Sequence, residues 1–463
     1  MKNLRSFLHS LKNKNVHLLG VSGAEGSSLF NLLISAKLTS LTVHDFVAKE
    51  ALEKNFKLWH KGLTVRKRSI LFRKFKQNLK KVKYNDRNSY LKDISRADII
   101  FVPQSWRLYP QNKILFKIRK KGTPFYSLLR LYLDYSPAKI IAVTGTVGKG
   151  SVAFLISELL RRSGKTVYFT GNETWTLQLA EKILGMKKSD FLVLEVSHRQ
   201  ILDGFDRTPQ TAIITNLYPD HLTEVSWSKY CKVKLSLIKK QTQNQISVIN
   251  YDNELLKQES EKLKSKIFYF STKHKEMNIK NVQALLPLLN KINNHYLENA
   301  LAACIAVYLN GVKISSIKLL LKDLPALPAR LEKKAEINNI SVFDDIKSTT
   351  PWSTLAALDK LSGNTVLIMG GDTKGISYEI LVNKLIKDNI KTIILKSNLS
   401  RYFGEKFPGF NFIVKQDLSE AVKTGLDLSD KNKNLLISPG AANFYSEFIK
   451  GKNSIRKIIA SLK

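Results

Sequence analysis

A chain of 463 residues, 43% hydrophobic and 24% charged, has the composition of a water-soluble protein with two or three domains, each large enough for its own core. No stretch approaches the ~20 apolar residues of a membrane span, and two isolated cysteines, Cys231 and Cys304, exclude a disulfide framework or a cysteine-built zinc site. The net charge of +37 raises nucleic-acid binding, but the lysines are spread along the chain, densest at 64–83 and 113–121, with no nucleic-acid module around them; we read solvated basic faces.

The N-terminus, MKNLRSFLHSLKNKN, is basic but lacks a sustained apolar core and a small-residue cleavage site. It reads as a cytoplasmic chain without membrane insertion. KNVHLLG, VSGAEGSSLFNLLISA and LTVHDF, over 14–46, then give strand, glycine turn, helix and strand. This is a Rossmann-like opening, with Gly23 in the turn and Asp45 closing the second strand, where such units take phosphate or ribose. A structural unit without ligand fits the pattern equally. Residues 51–94 read as basic helices and loops, ADIIFVP (97–103) as a buried strand, and GTPFYSLLRLYLDY (122–135) as strand and helix. The first domain is expected over 1–137.

The second domain, 138–325, opens on AKIIAVTGTVGKGS (138–151), an apolar strand feeding a glycine turn and a helix start. Gly145 and Gly148 let backbone N–H groups turn inward, with Thr146 and Gly150 also facing the nucleotide; Lys149 reaches outer phosphates, and Ser151 offers a hydroxyl to a metal. The spacing departs from the strict Walker pattern, and a plain glycine-rich turn is the bland alternative. KTVYFTG (165–171), DFLVLEVS (190–197), TAIITNL (211–217) and QISVINYD (245–252) are strand-like, with helical stretches between. Such alternation predicts a mostly parallel sheet with ligands beyond its carboxyl ends. There stand Glu195, able to hold magnesium, and Asp220 and His221, just past a strand; a lysine, Lys234, lies thirteen residues after the histidine.

The third domain, 326–463, begins at a proline-bearing linker before Arg330. SVFDD (341–345), NTVLIMGG (364–371), KTIILK (391–396), NFIV (411–414) and NLLIS (434–438) predict a second, smaller doubly wound sheet. The fold class is therefore α/β in three domains: a Rossmann-like N-terminal domain, a central P-loop mononucleotide-binding sheet and a Rossmann-like C-terminal domain.

GTVGKGS, EVSHRQ (195–200), NLYPDH (216–221) and YCKVK (230–234), in that order, resemble the Mur ligase superfamily, which forms amide bonds through acyl phosphates made from ATP. DDIKSTTP (344–351), GGDTKG (370–375) and SPGAANF (438–444) resemble its D-glutamate-adding branch. The resemblance implies a cytoplasmic, monomeric ligase of peptidoglycan precursor synthesis that uses ATP and two Mg2+ ions to join D-glutamate to UDP-N-acetylmuramoyl-L-alanine. It implies metal ligation by Ser151, Glu195, His221 and a carbamylated Lys234. Asn299, Arg330, Asp345 and Lys347 would approach the nucleotide; Asn172, Ser197, Gln200, Thr349, Lys374, Asn443 and Phe444 would face substrates. Two alternatives remain open. The GKGS ending also suits a folylpolyglutamate synthase-like ligase, and a non-catalytic paralogue binding nucleotide or nucleic acid would keep the fold.

The chain departs from the family pattern at VPQSWRL (102–108), at Asn443 in place of serine, and near FYSEFIKG (444–451).

Overall fold

The computed structural model describes residues 3–60, 62–172, 177–290, 297–324, 327–361, 364–429, 434–449 and 455–460. The expected boundary at 325/326, the ETW of 173–175, the NNHY of 293–296 and the end of FYSEFIKG lie outside them. The chain packs as two compact units, 1–215 with 232–285 and 301–321, and 216–231 with 286–300 and 322–463.

The first unit holds two sheets. In one, β1 (Asn15–Leu19), β2 (Ser40–His44), β3 (Lys83–Asn85), β4 (Ile99–Phe101) and β5 (Phe125–Tyr126) lie parallel in the order β3-β2-β1-β4-β5. The order reverses between β1 and β4, so the loops leaving these strands open a crevice there. In the other, β6 (Lys139–Thr144), β7 (Val167–Gly171), β8 (Phe191–Glu195), β9 (Thr211–Ile214), β10 (Ile246–Asn250) and β11 (Lys266–Phe270) form a parallel sheet ordered β11-β10-β9-β6-β8-β7. β8 is buried throughout and β6 throughout except at Lys139. Strands covered on both faces need such continuous apolar runs, here IIAV and FLVL.

The second unit carries β12 (Glu332–Ile337), β13 (Ile340–Asp344), β14 (Thr365–Met369), β15 (Lys391–Leu395), β16 (Ile413–Lys415) and β17 (Asn434–Ile437), ordered β12-β13-β17-β14-β15-β16. This sheet is not smaller than the second; both have six strands. It is also mixed, because β12 runs antiparallel to β13. The charged sequence EKKAEI suits that outermost place, where one strand edge meets water. β3, β11 and β12 are strands that the sequence pattern does not predict. No described helix is long and apolar enough to cross a membrane.

Candidate active site

The turn after β6 takes the shape its glycines permit. Gly145 and Gly148 have φ of 140° and 87°, and Gly148 caps the helix Lys149–Arg162. Both values are left-handed, so side chains there would be strained. Thr215 Oγ1 donates to Val147 O at 2.5 Å, tying the turn to the end of β9. Lys149 Nζ folds back to donate to Thr146 O at 2.8 Å, and Ser151 is buried in the first helical turn. The result is a glycine turn that feeds a helix N-terminus, an arrangement suited to an anion.

Lys234 lies beneath it on the helix Trp227–Lys239. Its side chain is 1% exposed, and Nζ donates to Gly145 O at 2.7 Å and Thr144 Oγ1 at 3.4 Å. Among the described residues, Lys234 and Lys374 are the only buried lysines or arginines. Glu195 closes β8 in register with Val143 of β6 and accepts from Asn172 Nδ2 at 3.3 Å. Gly171, at φ 125°, makes that approach possible: a Cβ there would meet Glu195 O at 2.1 Å. A carboxylate and a hydroxyl are the hard oxygen donors magnesium prefers, so Glu195 and Ser151 fit that ion.

A cavity of about 250 Å³ fills the β1/β4 crevice, lined among others by Gly23, Asp45, Phe46, Trp59, Tyr109 and Arg199. Asp45 is spent on the turn itself, accepting from Ser22 N (2.9 Å), Ser22 Oγ (2.6 Å) and Val47 N (3.1 Å). Burial raises its pKa while the Ser22 bonds oppose the shift. Ser197 and Gln200 form a capping box and brace the first sheet's loops. Ser197 Oγ donates to Gln104 Oε1 at 2.6 Å, and Gln200 Nε2 donates to Glu25 Oε1 at 3.0 Å. Burial pushes the Glu25 carboxyl up to about 7. The departure VPQSWRL also has a structural use. Trp106 Nε1 donates to Asp203 Oδ1 at 3.0 Å, Arg107 pairs with the same oxygen at 2.5 Å, and Arg119 reaches it at 3.4 Å.

In the second unit, three predicted stretches meet beyond the carboxyl ends of β13, β14 and β17. Asp345, fully enclosed, is their hub. It accepts from Ser348 Oγ (2.5 Å), Ser438 Oγ (2.8 Å) and Leu331 N (3.1 Å), and burial pushes it up to about 6. Gly371, at φ 116°, lets Asp372 exchange backbone bonds with Ala442 at 2.8 and 2.9 Å; a Cβ would lie 2.1 Å from Ala442 O. Lys374 Nζ donates to Asp220 Oδ1 at 2.8 Å, and His221 Nδ1 lies 2.8 Å from Glu224 Oε1. Arg330 donates to Lys347 O at 2.9 Å, Thr349 is exposed and Phe444 is buried. Asn443 caps the helix Phe444–Phe448 at φ 64°, a conformation asparagine tolerates better than serine. Asn299 is buried in the first turn of the helix Leu297–Leu309. Glu195, Ser151 and Lys234 thus belong to the first unit, whereas His221, Asn299, Arg330, Lys347 and Lys374 belong to the second.

Sequence reading passed over Glu25, Gln104, Asp203, Tyr218 and Trp352. The departure VPQSWRL, which holds Gln104, Trp106 and Arg107, and the motif NLYPDH, which holds Tyr218, were the signals at hand.

A family model described as the Mur ligase middle domain matches residues 143–307. The chain is 30% identical to the UDP-N-acetylmuramoylalanine--D-glutamate ligase of Clostridium tetani over 81% of this chain and 85% of that one. It is 26% identical to the protein of the same name from Acetivibrio thermocellus, with 99% of each covered. Among solved structures, a pseudomurein peptide ligase type C from Methanothermus fervidus superposes with a TM-score of 0.56 at 16% identity, covering 97% of this chain and 100% of that one. The UDP-N-acetylmuramate-alanine ligase MurC from Thermotoga maritima gives 0.52 at 14% identity, covering 94% and 97%. The solved structures share the fold, and the family model together with the extent of the Clostridium tetani match establishes that the chain belongs to the Mur ligase family.

Proposed function

We propose that this Mur-family ligase adds D-glutamate to UDP-N-acetylmuramoyl-L-alanine, converting ATP to ADP and phosphate. The names of its curated relatives support the substrates. The observation that carries the reading is the burial of Lys234 and Lys374, alone among the described lysines and arginines, at two positions the family motifs mark. We also propose three domains, 1–137, 138–325 and 326–463, in the roles of UDP-substrate, ATP and amino-acid binding.

In this reading the loop N–H groups and the helix start hold the triphosphate, and Lys149 exchanges Thr146 O for a phosphate oxygen, a stronger acceptor. Ser151, Glu195, His221 and a carbamylated Lys234 would hold two Mg2+ ions, which supply positive charge to the transferring phosphoryl group. Carbamylation turns Lys234 from a cation into an anionic oxygen donor. The substrate carboxylate attacks the γ-phosphorus, ADP leaves, and an acyl phosphate remains. The amine of D-glutamate, its carboxylates held by Lys374 and Thr349, then attacks the acyl carbon; phosphate leaves and the amine proton passes to solvent. Asn299, Arg330, Asp345 and Lys347 serve the nucleotide side. Asn172 belongs to the UDP-substrate side with Gly23 and Asp45, Ser197 and Gln200 brace that side, and Asn443 and Phe444 shape the amino-acid side.

The five-stranded first sheet with its own cavity favours this reading over the folylpolyglutamate synthase-like one. The test offers ATP, Mg2+ and UDP-N-acetylmuramoyl-L-alanine with D-glutamate, L-glutamate or other amino acids, and weighs the product. Mass gain with D-glutamate, lost in Lys149→Ala, is expected. Product only with another amino acid, or ADP release undiminished in Lys149→Ala, would overturn the assignment.

A further inference from the structure

Three contacts within the second unit seat residues 218–223 on the helix Pro351–Lys360 that follows β13 and on the loop after β14. Tyr218 stacks on Trp352 with centroids 5.2 Å apart and planes 6° from parallel. Gly375, at φ 72°, abuts the same segment, where a Cβ would lie 3.3 Å from Thr223 Cγ2. Between these, Asp220 Oδ1 accepts from Lys374 Nζ at 2.8 Å, with Asp220 5% and Lys374 9% exposed.

A buried ammonium needs a fixed counter-charge. Lys374 is fixed at its other end as well. Its backbone sits at φ 54°, and its N–H donates to Asp372 Oδ1 at 3.2 Å, while Asp372 is bridged to Ala442. The side chain is therefore held at both ends, yet an ammonium has three donors and the Asp220 oxygen takes one. An incoming carboxylate meets a cation whose direction is already set, which removes much of the ordering cost of binding a flexible lysine.

We propose that Asp220 is a positioning residue for the amino-acid substrate. It aims the Lys374 ammonium at the substrate carboxylate, and the Tyr218–Trp352 stack holds its segment in place. This rests on the function proposed above, with Lys374 in the amino-acid site.

The test uses the full-length enzyme and whichever amino acid yields product, and compares Asp220→Asn, Asp220→Glu and Trp352→Leu with the parent. Asp220→Asn should raise KM for the amino acid about tenfold or more, while kcat and KM for ATP move less than about threefold. Asp220→Glu should recover most of the loss, and Trp352→Leu should raise the same KM severalfold. The rise in melting temperature given by saturating amino acid should shrink in Asp220→Asn, a readout independent of turnover. A lower amino-acid KM in Asp220→Asn would make the carboxylate a competitor and overturn the proposal; an unchanged KM, or equal damage to the ATP and amino-acid constants, would overturn it too. Failure of the parent with every amino acid would remove the functional reading and this one with it, whereas a working parent with indifferent variants would remove this one alone.

Discussion

Replacing Asp203 by alanine tests how the first unit holds its two sheets together. The carboxylate is 3% exposed and receives Trp106 Nε1, Arg107 and Arg119, which all come from the segment linking β4 to β5, 84 to 97 residues away in sequence. Alanine leaves the Arg107 guanidinium without its counter-charge and the buried indole N–H without an acceptor. Breaking a buried pair costs about 3–5 kcal/mol. Arg107 keeps 19% side-chain exposure, so some water reaches it and the lower end, about 3 kcal/mol, is the better expectation. At about 2–4 °C per kcal/mol for a domain of this size, melting should fall by roughly 6–12 °C. Calorimetry and urea titration of Asp203→Ala and Asp203→Asn measure it, with asparagine milder because it still accepts from the indole. A loss below about 1 kcal/mol in the alanine variant would show that the cluster's desolvation cost cancels its attraction and that burial alone joins the sheets.

Acid should weaken the first sheet through His17 and His44, whose ring nitrogens lie 2.9 Å apart in a buried, uncharged pair. Burial lowers their pKa values to about 4 and about 3. Both folded-state values fall below the unfolded 6.5, so the unfolded chain binds more protons. Stability is complete above pH 6.5 and drops as pH falls toward 4, by on the order of 3 kcal/mol for each ring; urea titrations at pH 7, 5 and 4 should show the slope, reduced in His17→Gln. Gly371→Ala should cost about 3 kcal/mol or more, because both its φ of 116° and the 2.1 Å approach to Ala442 O resist a side chain, and chemical unfolding reads the loss. Lys234→Ala should lose more than about 100-fold in kcat and regain part of it with millimolar formate or acetate, small carboxylates that would stand in for the oxygens of the proposed carbamate; no rescue in a folded variant counts against carbamylation.

The central sheet was legible because its strands are short apolar runs stopped by chemistry-bearing residues, IIAV by the glycine turn and FLVL by Glu195. The missed strands had weaker patterns. β3 is three residues inside a lysine-rich segment, β11 interleaves tyrosine and phenylalanine at partly exposed positions, and β12 is an edge strand whose charges face water. Lys234 was visible only through motif spacing; its burial, which separates it from the solvated lysines, is a tertiary fact. The pairings of Asp203, Gln104 and Glu25 were invisible for a related reason. Each is a single polar residue whose partner lies tens of residues distant, and no local periodicity marks such a pair. Asn443 shows the reverse: a departure from the family motif that the backbone's left-handed turn makes physically reasonable.

Three residues at the proposed sites, His221, Lys374 and Asn443, sit at φ of 55°, 54° and 64°. Glycine would adopt these angles with less strain, by an amount on the order of 1 kcal/mol at each position. At Lys374 that gain is smaller than the cost of leaving the buried Asp220 carboxylate without its partner, so selection for heat resistance would favour glycine at Asn443 and keep the cation at Lys374.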